Sequence, residues 1–386
     1  MDKIKISSLG IFDEQKFRKL KETRNAWLNS GNDMIINPNT RLSELAYDLV
    51  PRMTNVVVKK VLKENDYCKT LVLNEINGRS LPPYRAGQRV ALVVNIDGNF
   101  FTRDFTLIGS IRETINGEYR ISVFKNDKDD TVMDYLFNNT KVGEKFSVSA
   151  PFGDFYYNDI RDENNVILIV NEKGVAPALA MAQAICEGID NYHLTIFYGA
   201  NYEKELAYKD ELIKLADNPN VRVGFVLAKD SGKPDCLSGL ISLDKIQSEF
   251  KVNHTSIFIS GDEELLKYLV KELEPLNLPK KFIRYENFLP KCTVKKAQKY
   301  SLDIYINGEK YILDCYNNKT IMQALEDSGI YVPSRCHNGS CGFCSSELVK
   351  GEVKVINDKR NEEDKKLNII HPCCTYPQSD IEIVVR

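Results

Sequence analysis

The chain has 386 residues, of which 43% are hydrophobic, and a formal net charge of -2 at pH 7. This length predicts about two to four domains with full hydrophobic cores, and the near-neutral charge gives no reason to expect a nucleic acid partner. The N-terminus lacks the apolar core of a signal peptide, and no apolar run reaches the roughly 18 residues of a membrane span. We therefore expect a cytoplasmic protein with no membrane partner.

The first 51 residues predict a short helical extension. Apolar residues recur at helical spacing in residues 12–31 and again in residues 42–50, where Pro51 ends the pattern. We expect these helices to pack on the domain that follows them. A docking surface for a partner protein is the alternative interpretation.

Residues 52–158 predict an antiparallel β-barrel or sandwich. Short apolar stretches, among them "NVVVKKVL", "RVALVVNI" and "YRISVF", alternate with the turn pairs Asn77-Gly78, Asp97-Gly98 and Asn116-Gly117. Short strands at regular spacing, separated by turns of this kind, are typical of all-β domains.

The segment "TRDFTLIGS", residues 102–110, contains the residue types that a flavin site needs. A guanidinium offers a fixed fork for a phosphate, an aromatic ring packs on the flavin ring system, and a hydroxyl reaches the flavin N5 position. With "RAGQRV" before it and "APFGDF" after it, the segment resembles the flavin motif Arg-x-Tyr-Ser/Thr of the ferredoxin–NAD(P) reductase superfamily. The resemblance implies a flavin-binding barrel whose contacts come from Gly87, Gln88, Arg103, Phe105, Thr106, Gly109 and Ser110.

The resemblance favours FAD as the flavin, because "LIGS" follows the motif as it does in superfamily members that bind FAD. The second phosphate-binding stretch of the superfamily, Gly-x-x-Ser, has Asp130 and Met133 at its Gly and Ser positions here. These residues weaken the contacts expected for the adenylate half of FAD. FMN therefore stays open.

Residues 159–290 predict a parallel α/β domain. The apolar strands "NVILIVN", "HLTIFYG", "VRVGFVLA" and "SIFISG" alternate with helical stretches. Such sheets bind nucleotides at the carboxyl ends of their strands. The loop "NEKGVAPALAMAQAI", residues 171–185, leads from a strand into a helix whose free N–H groups and dipole suit a pyrophosphate.

The superfamily resemblance extends to this domain and implies an NAD(P)H site. Gly174 and Pro177 remain from the superfamily loop Gly-Gly-x-Gly-x-x-Pro, and Gly261 remains from Cys-Gly-Pro, which here is Ser-Gly-Asp. Asn201 replaces an arginine that helps to hold the coenzyme, which favours NADH over NADPH, or no nicotinamide at all. The resemblance also places Glu286 near the contact between flavin and nicotinamide.

The C-terminal region, residues 300–386, contains clustered cysteines. Cys336, Cys341 and Cys344 follow the C-x4-C-x2-C spacing of a plant-type [2Fe–2S] cluster. A reducing compartment disfavours a disulfide framework, and a single loop of three cysteines does not match the paired spacing of structural zinc sites. The spacing therefore predicts a [2Fe–2S] cluster.

The fourth ligand of this cluster is Cys373 or Cys374. The segment "CCTYPQSD", residues 373–380, resembles the last-ligand segment of plant-type ferredoxins, Cys-x-x-Tyr-Pro-x-Ser-Asp, with Cys373 in the ligand position. Ligation by Cys374 stays open. Two strands joined at Asn307-Gly308 and a helical pattern over 319–329 match the β-grasp arrangement of those ferredoxins. We take residues 291–299 as the linker before this domain.

The order of flavin barrel, nucleotide domain and ferredoxin resembles phthalate dioxygenase reductase and the NADH reductases of hybrid-cluster proteins. It implies an NAD(P)H-dependent oxidoreductase that moves electrons through flavin and a [2Fe–2S] cluster to a separate electron-accepting protein. The resemblance assigns catalytic roles to Thr106 and Glu286. Two alternatives stay open: an electron-transfer subunit that does not use NAD(P)H, and a flavoenzyme that reduces a small molecule while electrons enter through the cluster.

Overall fold

The computed structural model describes residues 19, 22, 23, 53–125, 131–230, 232, 235–247, 254–286, 292, 294, 296–332, 334–356 and 358–385. The chain divides into two units, Met1–Pro51 and Arg52–Arg386. In the first unit the described residues 19, 22 and 23 are helical, and the rest of the predicted helical extension lies outside the described residues. No helix of the described part of the chain is long and apolar enough to cross a bilayer.

The second unit begins with a closed barrel of six antiparallel strands. The strands are β1 (Met53–Lys63), β2 (Cys68–Glu75), β3 (Arg89–Ile96), β4 (Asn99–Ile108), β5 (Glu118–Phe124) and β6 (Lys145–Ser149), in the spatial order β1-β2-β5-β4-β3-β6. Helix α1 (Thr131–Asn138) lies between β5 and β6 in the chain. The barrel core contains residues that share near-complete burial: Val56, Leu71, Leu92, Leu107 and Ile121.

The hairpin that joins β3 to β4 positions the flavin motif. Ile96 pairs with Asn99, so the connection consists of Asp97 and Gly98 alone. Both residues have positive φ, 52° and 91°, as a two-residue turn between twisted strands requires. The turn sets the register of β4, and with it the side of the barrel on which each motif residue lies.

The α/β domain is a six-stranded parallel sheet with the order β10-β9-β8-β7-β11-β12. Its strands are β7 (Asn165–Asn171), β8 (His193–Ala200), β9 (Val221–Leu227), β10 (Cys236–Ser238), β11 (Thr255–Ser260) and β12 (Ile283–Tyr285). The helices are α2 (Ala176–Cys186), α3 (Lys209–Leu215), α4 (Leu243–Gln247) and α5 (Glu263–Glu272). The strand order reverses between β7 and β11, and a ligand crevice is expected at their carboxyl ends.

The C-terminal domain contains a five-stranded sheet of order β14-β13-β19-β15-β17 and a two-stranded sheet, β16-β18. The strands are β13 (Lys299–Ile306), β14 (Glu309–Tyr316), β15 (Ser346–Lys350), β16 (Val353–Val355), β17 (Ile369–Ile370), β18 (Thr375–Pro377) and β19 (Ile381–Val385). Helix α6 (Ile321–Asp327) packs on the sheet, and α7 (Glu362–Lys366) precedes β17. A capping box between Thr320 and Gln323 starts α6, because each side chain bonds a backbone N–H that the helix leaves free.

Candidate functional site

Three polar side chains meet at the switch point of the α/β sheet, on the side that the barrel covers. Thr106, near the end of β4, donates its hydroxyl to Glu286 Oε1 at 2.6 Å. Ser260, the last residue of β11, donates to Glu286 Oε2. The three residues are 9%, 3% and 0% exposed, so their hydrogen bonds form away from bulk water.

The backbone of the sheet holds Glu286 in this position. Glu286 follows β12, and its N–H donates to the carbonyl of Ile259 on β11 at 2.9 Å. A carboxylate that accepts one hydroxyl on each oxygen is fixed in orientation. The arrangement can hold or relay a proton between Thr106 Oγ1 and Ser260 Oγ through a buried carboxylate. The structure thus brings together the two predicted catalytic residues and adds Ser260.

Ser260 had no role in the sequence predictions. The only sequence signal for it is its place in Ser-Gly-Asp, where superfamily members have Cys-Gly-Pro. Asp262 of the same segment accepts a hydrogen bond from Leu265 N at 3.0 Å and caps α5, as a carboxylate at a helix start should.

Two predicted nicotinamide-site glycines are sites of close backbone approach. A Cβ at Gly174 would overlap the carbonyl of Ser260, and a Cβ at Gly261 would lie 2.8 Å from Asn171 Oδ1. Asn171 Oδ1 in turn accepts from Gly174 N at 3.2 Å. The loop after β7 therefore rests directly on the end of β11, where it positions Ser260.

The remaining predicted residue of this loop, Pro177, lies in the first turn of α2, where a proline costs no hydrogen bond. Glu172 precedes that helix in a short 3-10 turn, and burial raises the pKa of its carboxyl group. A carboxyl that resists ionisation repels a phosphate less than a fully charged one.

The predicted flavin residues Gly87 and Gln88, directly before β3, contact the segment 150–155. A Cβ at Gly87 would overlap the carbonyl of Phe155. The side chain of Gln88 donates to Gly153 O at 3.2 Å and accepts from Arg85 N at 2.9 Å. These contacts shape the loop, and a flavin contact from either residue stays a prediction.

The remaining residues of the flavin motif have partners within the chain. Arg103 Nη1 lies 3.0 Å from Glu326 Oε2 in a buried ion pair, and Phe105 lies in the barrel core. Gly109 has φ of 85°, and Ser110 Oγ accepts from Arg112 N at 3.2 Å to cap a 3-10 turn. Of the predicted flavin contacts, Thr106 is thus the one whose side chain lies beside the carboxylate of Glu286.

The four cysteines predicted as cluster ligands converge. Cys341 N donates to Cys336 Sγ at 3.3 Å, and side-chain hydrogen bonds from Cys341 and Cys373 lower the pKa of Cys336. Contacts with the side chains of Cys336 and Cys344 raise the pKa of Cys373. The residues present therefore fit a group held by four thiolates.

Cys374 is buried beside this group, and its side chain contacts that of Cys373. Its Sγ donates to the carbonyl of His371 at 3.5 Å, and a Cβ at Gly339 would lie 2.6 Å from that sulfur. Gly339 has φ of 79°, so this position needs glycine for its backbone conformation as well as for space. His371 Nδ1 donates to Gly339 O at 2.9 Å and ties the two cysteine segments together.

The cluster loop contacts the barrel through Arg335, the residue before the first cysteine. Arg335 Nη2 donates to Ala150 O at 2.9 Å. Its guanidinium lies 4.7 Å from the ring centre of Phe152 and 5.5 Å from that of Phe343, distances at which a cation is attracted to an aromatic face. Arg335 therefore joins the cysteine loop to the same segment, 150–155, that Gly87 and Gln88 contact.

Two protein families match the chain. Residues 304–378 match the 2Fe-2S iron-sulfur cluster binding domain, and residues 172–271 match the oxidoreductase NAD-binding domain. The glycine betaine monooxygenase reductase subunit of Chromohalobacter salexigens is 24% identical over 330 residues, 78% of this chain and 87% of that protein. These matches support the predicted resemblance to the ferredoxin–NAD(P) reductase superfamily with a 2Fe-2S domain.

Solved structures of this superfamily share its fold. Phthalate dioxygenase reductase is 21% identical with a TM-score of 0.63, over 86% of this chain and 97% of that one. The FAD/NAD-binding domain of the nitric oxide dioxygenase of Vibrio cholerae O1 is 26% identical with a TM-score of 0.54, over 61% and 98%. The chain matches 59% of the length of the V. cholerae flavohemoprotein, at 29% identity. The matches support FAD, NADH and a [2Fe–2S] cluster as the cofactors, and they confirm the predicted oxidoreductase class.

Proposed function

We propose that the protein is a reductase that takes electrons from NADH and passes them through FAD and a [2Fe–2S] cluster to a separate redox protein. The observation that carries this proposal is the contact of the cysteine loop with the flavin barrel through Arg335. It places the converging cysteines next to the barrel that also supplies Thr106 to the buried carboxylate. A chain that only stored a cluster would have no need of this arrangement.

The cofactors supply the redox chemistry. When bound, FAD would supply hydride uptake from NADH and the cluster would supply single-electron transfer, so that two transfers to the acceptor would balance each NADH oxidised, with release of one proton. Cys336, Cys341, Cys344 and Cys373 would hold the cluster. Cys373 is preferred to Cys374 because its side chain contacts those of Cys336 and Cys344, whereas Cys374 Sγ donates to the His371 carbonyl.

Thr106 and Glu286 act at the reacting end of the flavin site. The hydroxyl of Thr106 orients the group bound beside it, and Glu286 fixes that hydroxyl through the 2.6 Å hydrogen bond. Ser260 holds the other carboxylate oxygen. Because all three are buried, the site excludes water from the position where charge moves.

The loop after β8 supports NADH rather than NADPH as the electron donor. Glu205 Oε2 accepts from the backbone N–H groups of Asn201 and Tyr202, each at 3.1 Å. In nucleotide-binding sheets an acidic residue in this region suits the ribose 2′-hydroxyl of NADH, whereas the 2′-phosphate of NADPH needs a cation. Asn201 stands where superfamily members have an arginine, so that cation is missing at this position.

The acceptor is a separate redox protein that docks beside the cluster. Phe343 lies between two of the predicted ligands and is 47% exposed. An exposed aromatic ring beside a redox centre is a suitable contact for a partner protein. The chemistry of the site requires only that the acceptor takes up single electrons.

An anaerobic titration tests the proposal. Purified protein reconstituted with FAD and cluster is titrated with NADH and separately with NADPH while flavin absorbance is recorded. We expect NADH to bleach the flavin at lower concentration than NADPH. Reduction of both centres by dithionite but by neither nucleotide would contradict the proposal and identify an electron-transfer subunit that uses another donor.

A further inference from the structure

Tyr208, the residue before α3, reaches from the α/β domain to the barrel. Its hydroxyl lies 2.7 Å from Thr70 Oγ1 on β2 and 2.8 Å from Ser122 Oγ on β5. Cys68 Sγ, at the start of β2, donates to the same hydroxyl at 3.6 Å. All four residues are at most 7% exposed. They form a buried polar network, the Tyr208 network, in which one side chain of the α/β domain meets three of the barrel.

The partners of the Tyr208 network fix the direction of its hydrogen bonds. Thr70 donates its single hydroxyl proton to Glu64 Oε1 at 2.7 Å, because a carboxylate only accepts. Tyr208 therefore donates to Thr70, and Ser122 and Cys68 donate to the phenol oxygen. The hydroxyl of Tyr208 thus acts as donor and as acceptor at once. Its removal would leave buried polar groups without partners, which costs more free energy than one hydrogen bond contributes.

The backbone of Tyr208 has an unusual conformation. Its φ is 60° and its ψ is 20°, in the left-handed region. A bulky residue rarely adopts this region, and it does so where the surrounding contacts impose it. The hydrogen bonds of the phenol to the barrel are contacts of this kind, so the strain at the start of α3 accompanies the contact between the domains.

The loop that ends at Tyr208, residues 201–208, meets the barrel at a second place. Asn65, in the turn between β1 and β2, donates its side-chain amide to Lys204 O at 3.2 Å. The ammonium group of Lys204 lies 6.0 Å from the ring centre of Tyr67 in the same turn, within the range of a cation–π contact. The loop is therefore attached to the barrel in its middle and at its end.

Apolar packing joins the same two regions. Cys68 of the barrel belongs to one hydrophobic core with Leu206 and Tyr208 of the loop, and Phe124 at the end of β5 packs against that core. Domains that share a continuous apolar core resist relative motion. The loop 201–208 is thus fixed relative to the barrel as well as to its own sheet.

We propose that Tyr208 is a positioning residue for the coenzyme, which holds the loop 201–208 on the flavin barrel and so sets where the ribose of NADH binds. The inference rests on the proposed function, in which Glu205 of this loop suits the ribose 2′-hydroxyl. A loop that is fixed before the coenzyme arrives loses less freedom on binding. Tyr208 therefore acts on the affinity for NADH and leaves hydride transfer itself unchanged.

Hydrogen exchange tests the attachment of the loop without any redox reaction. Tyr208→Phe and Ser122→Ala each remove one hydroxyl of the Tyr208 network. The matched control is Tyr192→Phe, because Tyr192 is also buried and its hydroxyl has no hydrogen-bond partner among the described residues. In the full chain we expect amide exchange in the segments 64–70 and 201–209 to accelerate by about tenfold in both variants and to be unchanged in the control.

Stopped-flow reduction of the flavin by NADH tests the effect on the coenzyme. The concentration dependence gives a limiting rate and an apparent dissociation constant, measured well below the unfolding temperature of each variant. We expect Tyr208→Phe to raise the dissociation constant by about tenfold while the limiting rate changes by less than about twofold. Ser122→Ala should act in the same direction, and the double variant should bind NADH no more weakly than Tyr208→Phe, because both changes remove one contact.

Three results would overturn the inference. If the dissociation constant of Tyr208→Phe matched the wild type, the Tyr208 network would support the fold and would not position the coenzyme. If amide exchange in both segments were unchanged in Tyr208→Phe, the network would not attach the loop. If Tyr192→Phe weakened NADH binding as much as Tyr208→Phe, the cause would be a general loss of stability.

Failure of the proposed function has a different signature. A wild-type protein whose flavin NADH does not reduce would contradict the proposed function, and the exchange experiment would then decide alone whether Tyr208 attaches the loop to the barrel.

Discussion

The cysteine loop and the flavin motif of β4 differ in how well their sequence predicts their contacts. The cysteines keep the spacing of their family, and the structure brings all four predicted ligands together. The flavin motif keeps its order, yet Arg103 pairs with Glu326 and Phe105 lies in the barrel core. Residues that bind one shared group must converge, whereas an arginine or an aromatic residue has many possible partners. Tertiary contacts choose among those partners.

The largest effect is expected from the cysteines. Cys336→Ser and Cys373→Ser should each abolish the visible absorption and iron content of the cluster while flavin is retained, because a ligand is lost. Cys374→Ser is the matched control and should keep both. Iron analysis and absorption spectra check this. A cluster that survives in Cys373→Ser but not in Cys374→Ser would reverse the ligand assignment and weaken the contrast with the flavin motif.

Glu286→Gln tests whether the buried group of Thr106, Ser260 and Glu286 is the reacting part of the flavin site. It keeps the shape of the side chain but removes the charge that orients Thr106 and Ser260. We expect reduction of the flavin by NADH to slow by about a hundredfold. Thr106→Ser keeps the hydroxyl and should lose far less. Stopped-flow measurements at several NADH concentrations separate the rate from binding, and an unchanged limiting rate in Glu286→Gln would speak against a catalytic role.

Gly174→Ala tests the close contact between the loop after β7 and the end of β11. The added methyl group would overlap the Ser260 carbonyl, and relief of such overpacking costs about 1–3 kcal/mol. We expect lower thermal stability and weaker NADH binding, measured by calorimetry. Gly224→Ala, where a Cβ would find its nearest atom at 3.6 Å, is the control. Equal losses in both variants would mean that the loop contact has no special importance.

The smallest effect is expected from the ion pair of Asp358 and Arg360 within the ferredoxin domain. This pair is more exposed to solvent than the pair of Arg103 and Glu326. Three hydrogen bonds from Arg360, two from its guanidinium and one from its backbone N–H, lower the pKa of Asp358 to about 2. Because the folded-state pKa lies below the unfolded value near 3.9, the pair stabilises the fold above about pH 4, and this contribution disappears as the pH falls toward 2.

Solvent weakens this pair, so Asp358→Asn should lower the free energy of unfolding by less than about 1 kcal/mol at pH 7. The difference from wild type should shrink as the pH falls from about 4 to about 2. Denaturant titrations across this range measure it. A difference that grew toward low pH would have the wrong sign for a stabilising carboxylate.

Local patterns of the sequence predict much of this architecture. The Asp97-Gly98 and Asn307-Gly308 pairs are two-residue turns with positive φ, because few other residues adopt that backbone. The predicted resemblance to the superfamily and the predicted 2Fe-2S domain are confirmed, whereas the domain boundaries and the individual site residues stay predictions.

Contacts between residues far apart in the chain could not be predicted. Glu326 is 223 positions from Arg103 and Arg335 is 185 positions from Ala150. Ser260 is 26 positions from Glu286, and the third member of the group, Thr106, comes from the barrel. Such partners are set by how domains pack, for which no short-range pattern exists in a single sequence.

The most direct test of the account asks whether electrons from NADH reach the cluster only through the flavin. Full-length protein with an intact cluster is mixed with NADH and frozen rapidly, before its reaction with NADH is complete. The samples, one with FAD bound and one after FAD removal, are then examined by electron paramagnetic resonance. We predict a reduced-cluster signal with FAD and none without it, restored when FAD is added back. A reduced cluster in the flavin-free protein, or a bleached flavin beside a cluster that stays oxidised, would contradict the account.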